Sequence, residues 1–473
     1  MNSSKFSLSQ NVNPSRVFIL QKSELEKSLS PLYYSTLPKK LLHSKKLKEI
    51  AIVNPTREKP KFDDDDLVPY VGLPQTDEHS KSIIEVVFRP YKEVKGRSVI
   101  YPNELLFARI EPSVFNKKYI LTNDLKGYDF AFTSTEFYVV KGKEVDNEYL
   151  LANFLSDYVY KQVEGKTTGS TGRRRLDTTV FAELIFPFPE DKSRRKVSQI
   201  ITQYFAQKQQ NEAEAEKLLS SIDDYLLNEL GIKLPEPTEN TLKYRMFIKT
   251  FKEISDGRID PHFHQEKFKQ LDIQLNNGKY PLSNLKKKSI LITSGATPLS
   301  KGDSYTEDAS IGVPFVRSGE IKDITFENCI YIKPEIHNTM LKSSQLKKGD
   351  LLIAIVGATI GEVGIYDHNR EANINQAIAL VRLNDEVLPV FAKDFYKSSI
   401  GSFILDRAKR PVARANINLD EIGILPIPVP PLDKQKEIAE HITGIRQQAQ
   451  QLKDKTKEAL KKASEEIEEI LLN

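Results

Sequence analysis

The sequence predicts an α+β fold built twice: two duplicated mixed α/β domains separated by an antiparallel pair of long helices, a coiled coil, with an approximate twofold axis across the pair. Three observations predict it. A series of apolar segments recurs in the same order at a nearly constant offset. Each series ends on a proline-rich stop followed by a long helix of heptad-like spacing. The charges at the ends of those two helices are of opposite sign when the helices run in opposite directions.

The totals are consistent with several domains. At 473 residues the chain exceeds what one core usually supports. Its 39% hydrophobic and 28% charged content is that of a soluble globular protein, and no apolar run nears a bilayer span. No membrane role is expected, and the N-terminal MNSSKFSLSQNVNPSR lacks a secretion-signal pattern, so a cytoplasmic protein is expected. The one cysteine, Cys329, excludes an internal disulfide and is read as a packing residue. A net charge of +4 means that attraction to nucleic acid has to come from local clusters.

The repeat is read directly. At an offset of 241, IFPFP (Ile185 to Pro189) falls on PIPVP (Pro426 to Pro430), and TSTEFYVV (Thr133 to Val140) falls on INQAIALV (Ile374 to Val381). Upstream the offset drifts as insertions would make it. ELLFARI (Glu104 to Ile110) matches DLLIAIV (Asp350 to Val356) at 246, and VPYV (Val68 to Val71) matches VPFV (Val313 to Val316) at 245. LSPLYY (Leu29 to Tyr34) matches IDPHFH (Ile259 to His264) at 230. TSTEFYVV and INQAIALV each alternate like a strand buried on one or both faces, and the ordered series implies duplication.

The proline-rich stops exclude helix and central strand. After the first come Val197, Ile201, Tyr204, Lys208, Asn211, Ala215, Leu218, Ile222 and Tyr225, at steps of four and three; the polar Lys208 and Asn211 make the seam imperfect. The second runs Ile438, Ile442, Ile445, Ala449, Leu452, Thr456, Leu460, Ala463, Ile467 and Ile470. A period near 3.5 favours helices wrapped on a partner helix, although an ordinary amphipathic helix on a core reads similarly. Arg194, Arg195 and Lys196 open the first helix and Glu465, Glu466, Glu468 and Glu469 end the second; Lys434 and Lys436 open the second and Asp223, Asp224 and Glu229 end the first. Antiparallel packing therefore joins opposite charges at both ends. The expected domains are residues 1–190, a first long helix at 191–234, a second domain at 235–431 and a second long helix at 432–473.

Basic residues recur at one place in each copy. Lys166, Arg173, Arg174 and Arg175 lie in a glycine- and threonine-rich loop after the predicted helix YLLANFLSDYVYKQV; Arg407, Lys409, Arg410 and Arg414 occupy the corresponding loop after KDFYKSSIGSFIL. Short side chains let backbone donors approach phosphates, and arginine's planar fork suits phosphates and guanine edges. A solvated basic loop is the competing reading. Gly165, Lys166 and Thr167 imitate the end of an ATPase phosphate loop, but Tyr160 stands where that loop needs glycine, and a helix rather than a strand precedes it. Helices of about 35 residues would hold two such loops about 50 Å apart, a little over one turn of duplex.

Other chemistry is not supported. The double proline Pro430 and Pro431 is followed by Leu432, not the aromatic residue of a base-flipping methyltransferase turn. Gly357, Gly361 and Gly364 suit tight turns between strands better than a dinucleotide fingerprint. Asp63 to Asp66 reads as a solvated acidic turn rather than a metal site, and His262 and His264 as packing positions.

The motifs GATPLS (Gly295 to Ser300), PFVRSGEI (Pro314 to Ile321), GDLLIAIVGATIGEVG (Gly349 to Gly364), NINQAI (Asn373 to Ile378) and PIPVPPLDKQKEIAEHI (Pro426 to Ile442) together resemble the specificity subunit of type I restriction-modification systems. Through the repeat the resemblance extends over nearly the whole chain. It implies two target-recognition domains, each reading one half of a bipartite site in double-stranded DNA, with the helix pair fixing the gap. It also implies a non-catalytic chain without its own cofactor, assembled with two methyltransferase subunits that bind S-adenosylmethionine and with ATP-driven restriction subunits. Copy one departs from the pattern at Ser134, Thr135 and Glu136, where copy two has Asn375, Gln376 and Ala377, and at Arg194, where copy two has Gln435. Two other readings are a two-headed protein scaffold that assembles partners through its helices, and an ATP-driven coiled-coil enzyme.

Overall fold

The computed structural model describes residues 43–472 except 79, 124, 165, 171–173, 237–245, 247, 255–257, 300–302, 327–328 and 411–414. They form two compact units. One holds the described residues up to Glu212 together with Lys453–Leu472, the other Ala213–Leu452.

The first unit is built on strands β1 (Ser44–Lys46), β2 (Ala51–Val53), β3 (Leu67–Val71), β4 (Val87–Pro90), β5 (Ser98–Ile100), β6 (Leu105–Ala108), β7 (Tyr119–Leu121), β8 (Ala131–Thr133), β9 (Phe137–Gly142), β10 (Thr167–Thr168), β11 (Arg175–Leu176) and β12 (Ile185–Pro187). An antiparallel sheet of order β2-β9-β6-β7 forms its centre. A second sheet, β4-β3-β8-β5, contains one parallel pair, β3 with β8. All four residues of β6 are buried, which requires cover on both faces. Alternation divides them: Leu105 and Phe107 enter a core shared with the helices, Leu106 and Ala108 a core shared with the second sheet. Helices α1 (Asn147–Leu155), α2 (Asp157–Val163) and α3 (Thr178–Ala182) supply Leu150, Phe154, Val159 and Phe181 to the first core. Each such fully buried side chain contributes about 1.5–3 kcal/mol by leaving water.

The second unit repeats the plan with β13 (Leu282–Asn284), β14 (Ser289–Ser294), β15 (Tyr305–Thr306), β16 (Val313–Val316), β17 (Ile330–Ile332), β18 (Leu351–Ala354), β19 (Val363–Ile365), β20 (Asn373–Ile374), β21 (Ile378–Leu383) and β22 (Pro426–Pro428). The central sheet is β14-β21-β18-β19 and the outer one β15-β17-β16-β20, again with one parallel pair, β16 with β20. Leu351 and Ile353 face the helical core, Leu352 and Ala354 the second sheet. Every segment matched in sequence lands on the equivalent strand: β3 on β16, β6 on β18, β9 on β21 and β12 on β22. Leu29 to Tyr34 lies outside the described residues. Gly357 and Gly361 turn the chain between β18 and β19 at φ of +88° and +91°.

The first long helix is α4 (Asp191–Leu230), whose residues up to Glu212 belong to the first unit; the second unit adds α5 (Glu266–Asn276), α6 (Pro389–Lys397), α7 (Ser399–Ala408) and α8 (Leu419–Ile424), and the second long helix is α9 (Leu432–Leu472). In the first unit Val197 and Ile201 of α4 share a core with Ile467 and Leu471 of α9, and Lys196 lies 3.1 Å from Glu466. In the second, Leu226 and Leu230 share a core with Ile438 and Ile442, and Lys434 lies 2.7 Å from Glu229. Both segments therefore pair antiparallel, with the expected charges meeting. Arg194 and Arg195 differ from expectation. They turn to Asp191 in their own first turn, where the geometry is local and needs no reach across the seam. The polar seam positions are not defects either. Asn211 Nδ2 donates to Thr456 Oγ1 at 3.0 Å, while the largely buried Lys208 reaches Glu212 at 3.4 Å.

Candidate nucleic-acid interface

The expected helix 149–163 is broken at Ser156. This serine N-caps α2, accepting from Val159 N–H, and donates to Asn153 O at 2.6 Å. Beyond α2 the basic loop is a hairpin: Thr167 pairs with Leu176 and Thr168 with Arg175. Its turn includes Gly169 at φ +126°; Arg173 falls outside the described residues. Arg175 and Leu176 are held against the strand edge beyond β6, where Leu176 N–H donates to Arg109 O at 2.8 Å and Glu111 N–H to Arg174 O at 3.0 Å.

The arginines are already engaged by carboxylates and carbonyls. Arg175 grips Glu136 with Nε at 2.9 Å and Nη2 at 2.6 Å. The bond from Arg175, aided by the charges of Arg109 and Arg97, holds the Glu136 carboxyl below its usual range. Arg174 Nη2 donates to Thr167 O at 2.8 Å and lies 3.7 Å from Glu111. Lys166 sits half-buried between α2 and the hairpin. A helix precedes Lys166 and a hairpin strand follows it, the reverse of a phosphate loop's order. Arg97, bonded to Thr135 Oγ1 at 3.0 Å, and Arg109, stacked on Tyr138, complete a basic cluster around Ser134 to Glu136. Sequence spacing missed both, because they lie in different strands' flanks; only the departure at 134–136 marked the place.

In the second unit Arg407 is not in the loop. Ile400, Ile404, Leu405 and Ala408 are buried, so α7 continues to Ala408 and carries Arg407 in its last turn. There its Nη1 donates to Asp272 Oδ1 at 2.5 Å and its guanidinium covers the Phe263 ring. Lys409 lies 3.6 Å from Asp406. Arg410 donates to Glu421 at 2.7 Å and forms a bridge with Asn416, while Arg414 is outside the described residues. Asn416 and Ile417 dock on Val356 and Ile355 as Arg175 and Leu176 dock on Ile110 and Arg109. Beneath the loop lies Arg258, unmarked by sequence, which donates to Ala408 O at 3.1 Å, Lys409 O at 3.0 Å and Glu421 at 2.6 Å. His262 and His264 bond to the carbonyls of Asp406 and Arg258, as structural residues do.

The acidic turn is tied to lysines, Asp65 to Lys92 at 2.6 Å and Asp64 to Lys95 at 3.0 Å. Among the described residues no group of three His, Cys, Asp or Glu side chains could hold a metal ion, and no helix is long and apolar enough to cross a membrane.

Residues 292–462 match the family model "Type I restriction modification DNA specificity domain". Over those residues the chain is similar to the DNA specificity domain of type I restriction-modification systems. It is 27% identical over 170 residues to the Type I restriction enzyme EcoBI specificity subunit of Escherichia coli, covering 35% of each chain. It therefore spans about a third of the length of that specificity subunit. It is 21% identical over 350 residues to the Type I restriction enzyme MjaVIII specificity subunit of Methanocaldococcus jannaschii, covering 70% of this chain and 71% of that one. A solved chain described under complex assembly and conformational transition of the type I R-M system is similar over 91% of this chain and 96% of that chain, at 18% identity and a TM-score of 0.49.

Proposed function

We propose that this chain is the specificity subunit of a type I restriction-modification system, a non-catalytic reader of double-stranded DNA, with residues 1–190 and 235–431 as two target-recognition domains, each reading one half of a bipartite site. The helices at 191–234 and 432–473 set the gap and dock two methyltransferase subunits. Restriction subunits complete a cytoplasmic complex whose S-adenosylmethionine and ATP sit on the partners. The observation that carries the reading is the basic segment docked in the same way on the continuation of β6 and of β18, in a chain similar to a type I DNA specificity domain over residues 292–462. Lys166, Arg173, Arg174, Arg175, Arg407, Lys409, Arg410 and Arg414 are the residues proposed to meet DNA.

The engaged state of these arginines refines the proposal. Phosphates entering the groove exchange with Glu136, Glu111, Asp272 or Glu421 as counterions, so binding trades one charge-assisted contact for another. Affinity then rests on counterion release and falls steeply with salt. The test is duplex binding by the chain assembled with its methyltransferase partner, over a salt series, on sites found by methylation profiling. Sequence-specific, salt-sensitive binding is expected. Stable assembly with partners but no affinity for any duplex would instead leave a two-headed scaffold.

A further inference from the structure

The two units share a contact that neither heptad spacing nor charge pattern marks. In each, a pair of short helices is broken at a serine that caps the second helix. Ser156 and Ser398 both donate to the carbonyl three residues back, Asn153 O and Phe395 O, at 2.6 Å. Both accept from the N–H three residues on, that of Val159 at 3.3 Å and of Gly401 at 3.2 Å. The next backbone N–H in each case has no carbonyl within its own helix. It donates to a carboxylate on a long helix: Asp157 N–H to Glu468 Oε1 and Ser399 N–H to Asp223 Oδ1, both at 2.8 Å. Ser399 adds its hydroxyl, donated to the other Asp223 oxygen.

The origin of the carboxylates gives these contacts their meaning. Glu468 sits on α9, the helix that follows the second repeat in sequence, yet closes a helix of the first repeat. Asp223 sits on α4, which follows the first repeat, yet closes a helix of the second. At the 241-residue offset Asp223 falls on Ser464, one helical turn before Glu468, so the two contacts use different rungs and different side-chain lengths. The apolar seam beside them tolerates sliding by a turn, because apolar contacts are not directional. A hydrogen bond from a fixed backbone donor does not tolerate it.

We infer that Asp223 and Glu468 are positioning residues that fix the register at which each long helix docks on the globular fold of the opposite repeat, and that they thereby determine the gap between the two DNA half-sites. The inference rests on the proposed bipartite reading. Neither side chain needs to touch DNA.

The test uses the full chain in its methyltransferase complex, with Asp223→Ala, Glu468→Ala and the conservative Asp223→Asn and Glu468→Gln, which keep an acceptor oxygen. Methylation is measured on duplexes whose half-sites are separated by the native gap, one base pair fewer and one more. Loss of a charge-assisted bond is worth on the order of tenfold in an equilibrium. Each alanine variant is therefore expected to lose about tenfold of its preference for the native gap, and the conservative variants to keep most of it. Hydrogen exchange at the Ser399 amide in Asp223→Ala, and at the Asp157 amide in Glu468→Ala, is expected to accelerate by a similar factor. Alanine variants that keep the full gap preference overturn the spacing role alone. A wild-type complex indifferent to the gap overturns it together with the bipartite reading. Unchanged exchange at both amides overturns the contacts themselves.

Discussion

The two units solve the same problem with different residues, and the differences fall beside the basic segments and at the starts of the long helices rather than in the sheets. Both place β6 or β18 between two cores, and both dock a basic segment on that strand's continuation. Unit one replaces Ala377 with Glu136, which takes up Arg175. It also replaces Gln435 with Arg194. Gln435 is fully buried and satisfied, accepting from Leu388 N–H at 2.8 Å and donating to Pro430 O at 2.8 Å and Glu386 O at 2.9 Å. Arg194 reproduces only the proline contact, donating to Pro189 O at 2.9 Å while stacking on Phe188. The comparison teaches that a duplicated scaffold keeps its carbonyl contacts while the charges beside the hairpin are free to diverge.

The strongest way to break the equivalence is through the cores. Phe107 and Ile353 occupy matched positions, and truncation to alanine is expected to cost about 3–5 kcal/mol for the first and about 2–5 for the second. Each loss should be confined to its own unit when denaturation is followed by hydrogen exchange; uniform loss would mean that the units do not fold as separate bodies. A smaller contrast lies at the helix starts. Gln435→Ala orphans a buried N–H and two carbonyls and should cost about 2 kcal/mol, whereas Arg194→Ala, at a partly exposed stack, should cost about 1 kcal/mol. Chemical denaturation of both variants checks the order.

Glu136 gives the finest contrast. Glu136→Gln removes the internal counterion of Arg175 and should steepen the salt dependence of duplex binding by about one unit of slope. Its lowered pKa adds a pH effect of known sign. The carboxylate's stabilisation of the hairpin is complete above the ordinary carboxylate range and is lost as pH falls through the lowered value. Protection of the β11 amides, corrected for the intrinsic pH dependence of exchange, should therefore fall on acidification in the wild type but not in Glu136→Gln, while the loop around Ala377 shows no such response.

The scaffold was legible because its signals are periodic. Alternation in TSTEFYVV and INQAIALV marks strands buried on one or both faces, the proline stops mark the helix starts, and end charges choose the antiparallel pairing that Lys196–Glu466 and Lys434–Glu229 display. What periodicity carries no trace of is which polar group meets which. Asn211 reads as an imperfect seam position because nothing within one helix shows that Thr456 of the other will face it. Arg407 was assigned to a loop because a basic residue after an apolar run resembles a helix end, although Ala408 is still buried. Arg258, Arg97 and Arg109 are distant in sequence from the loops they join, so no local spacing could reveal them.

The central claim is that each basic segment serves one half of a bipartite site. It is tested most directly by genome-wide methylation profiling in cells carrying two variants of this chain. One combines Arg173→Ala, Arg174→Ala and Arg175→Ala; the other combines Lys409→Ala, Arg410→Ala and Arg414→Ala. The account predicts that the first relaxes or abolishes base preference in one half of the methylated motif and the second in the other half, with the untouched half and the gap preserved. Loss spread equally over both halves, or a motif unchanged in either variant, would contradict it.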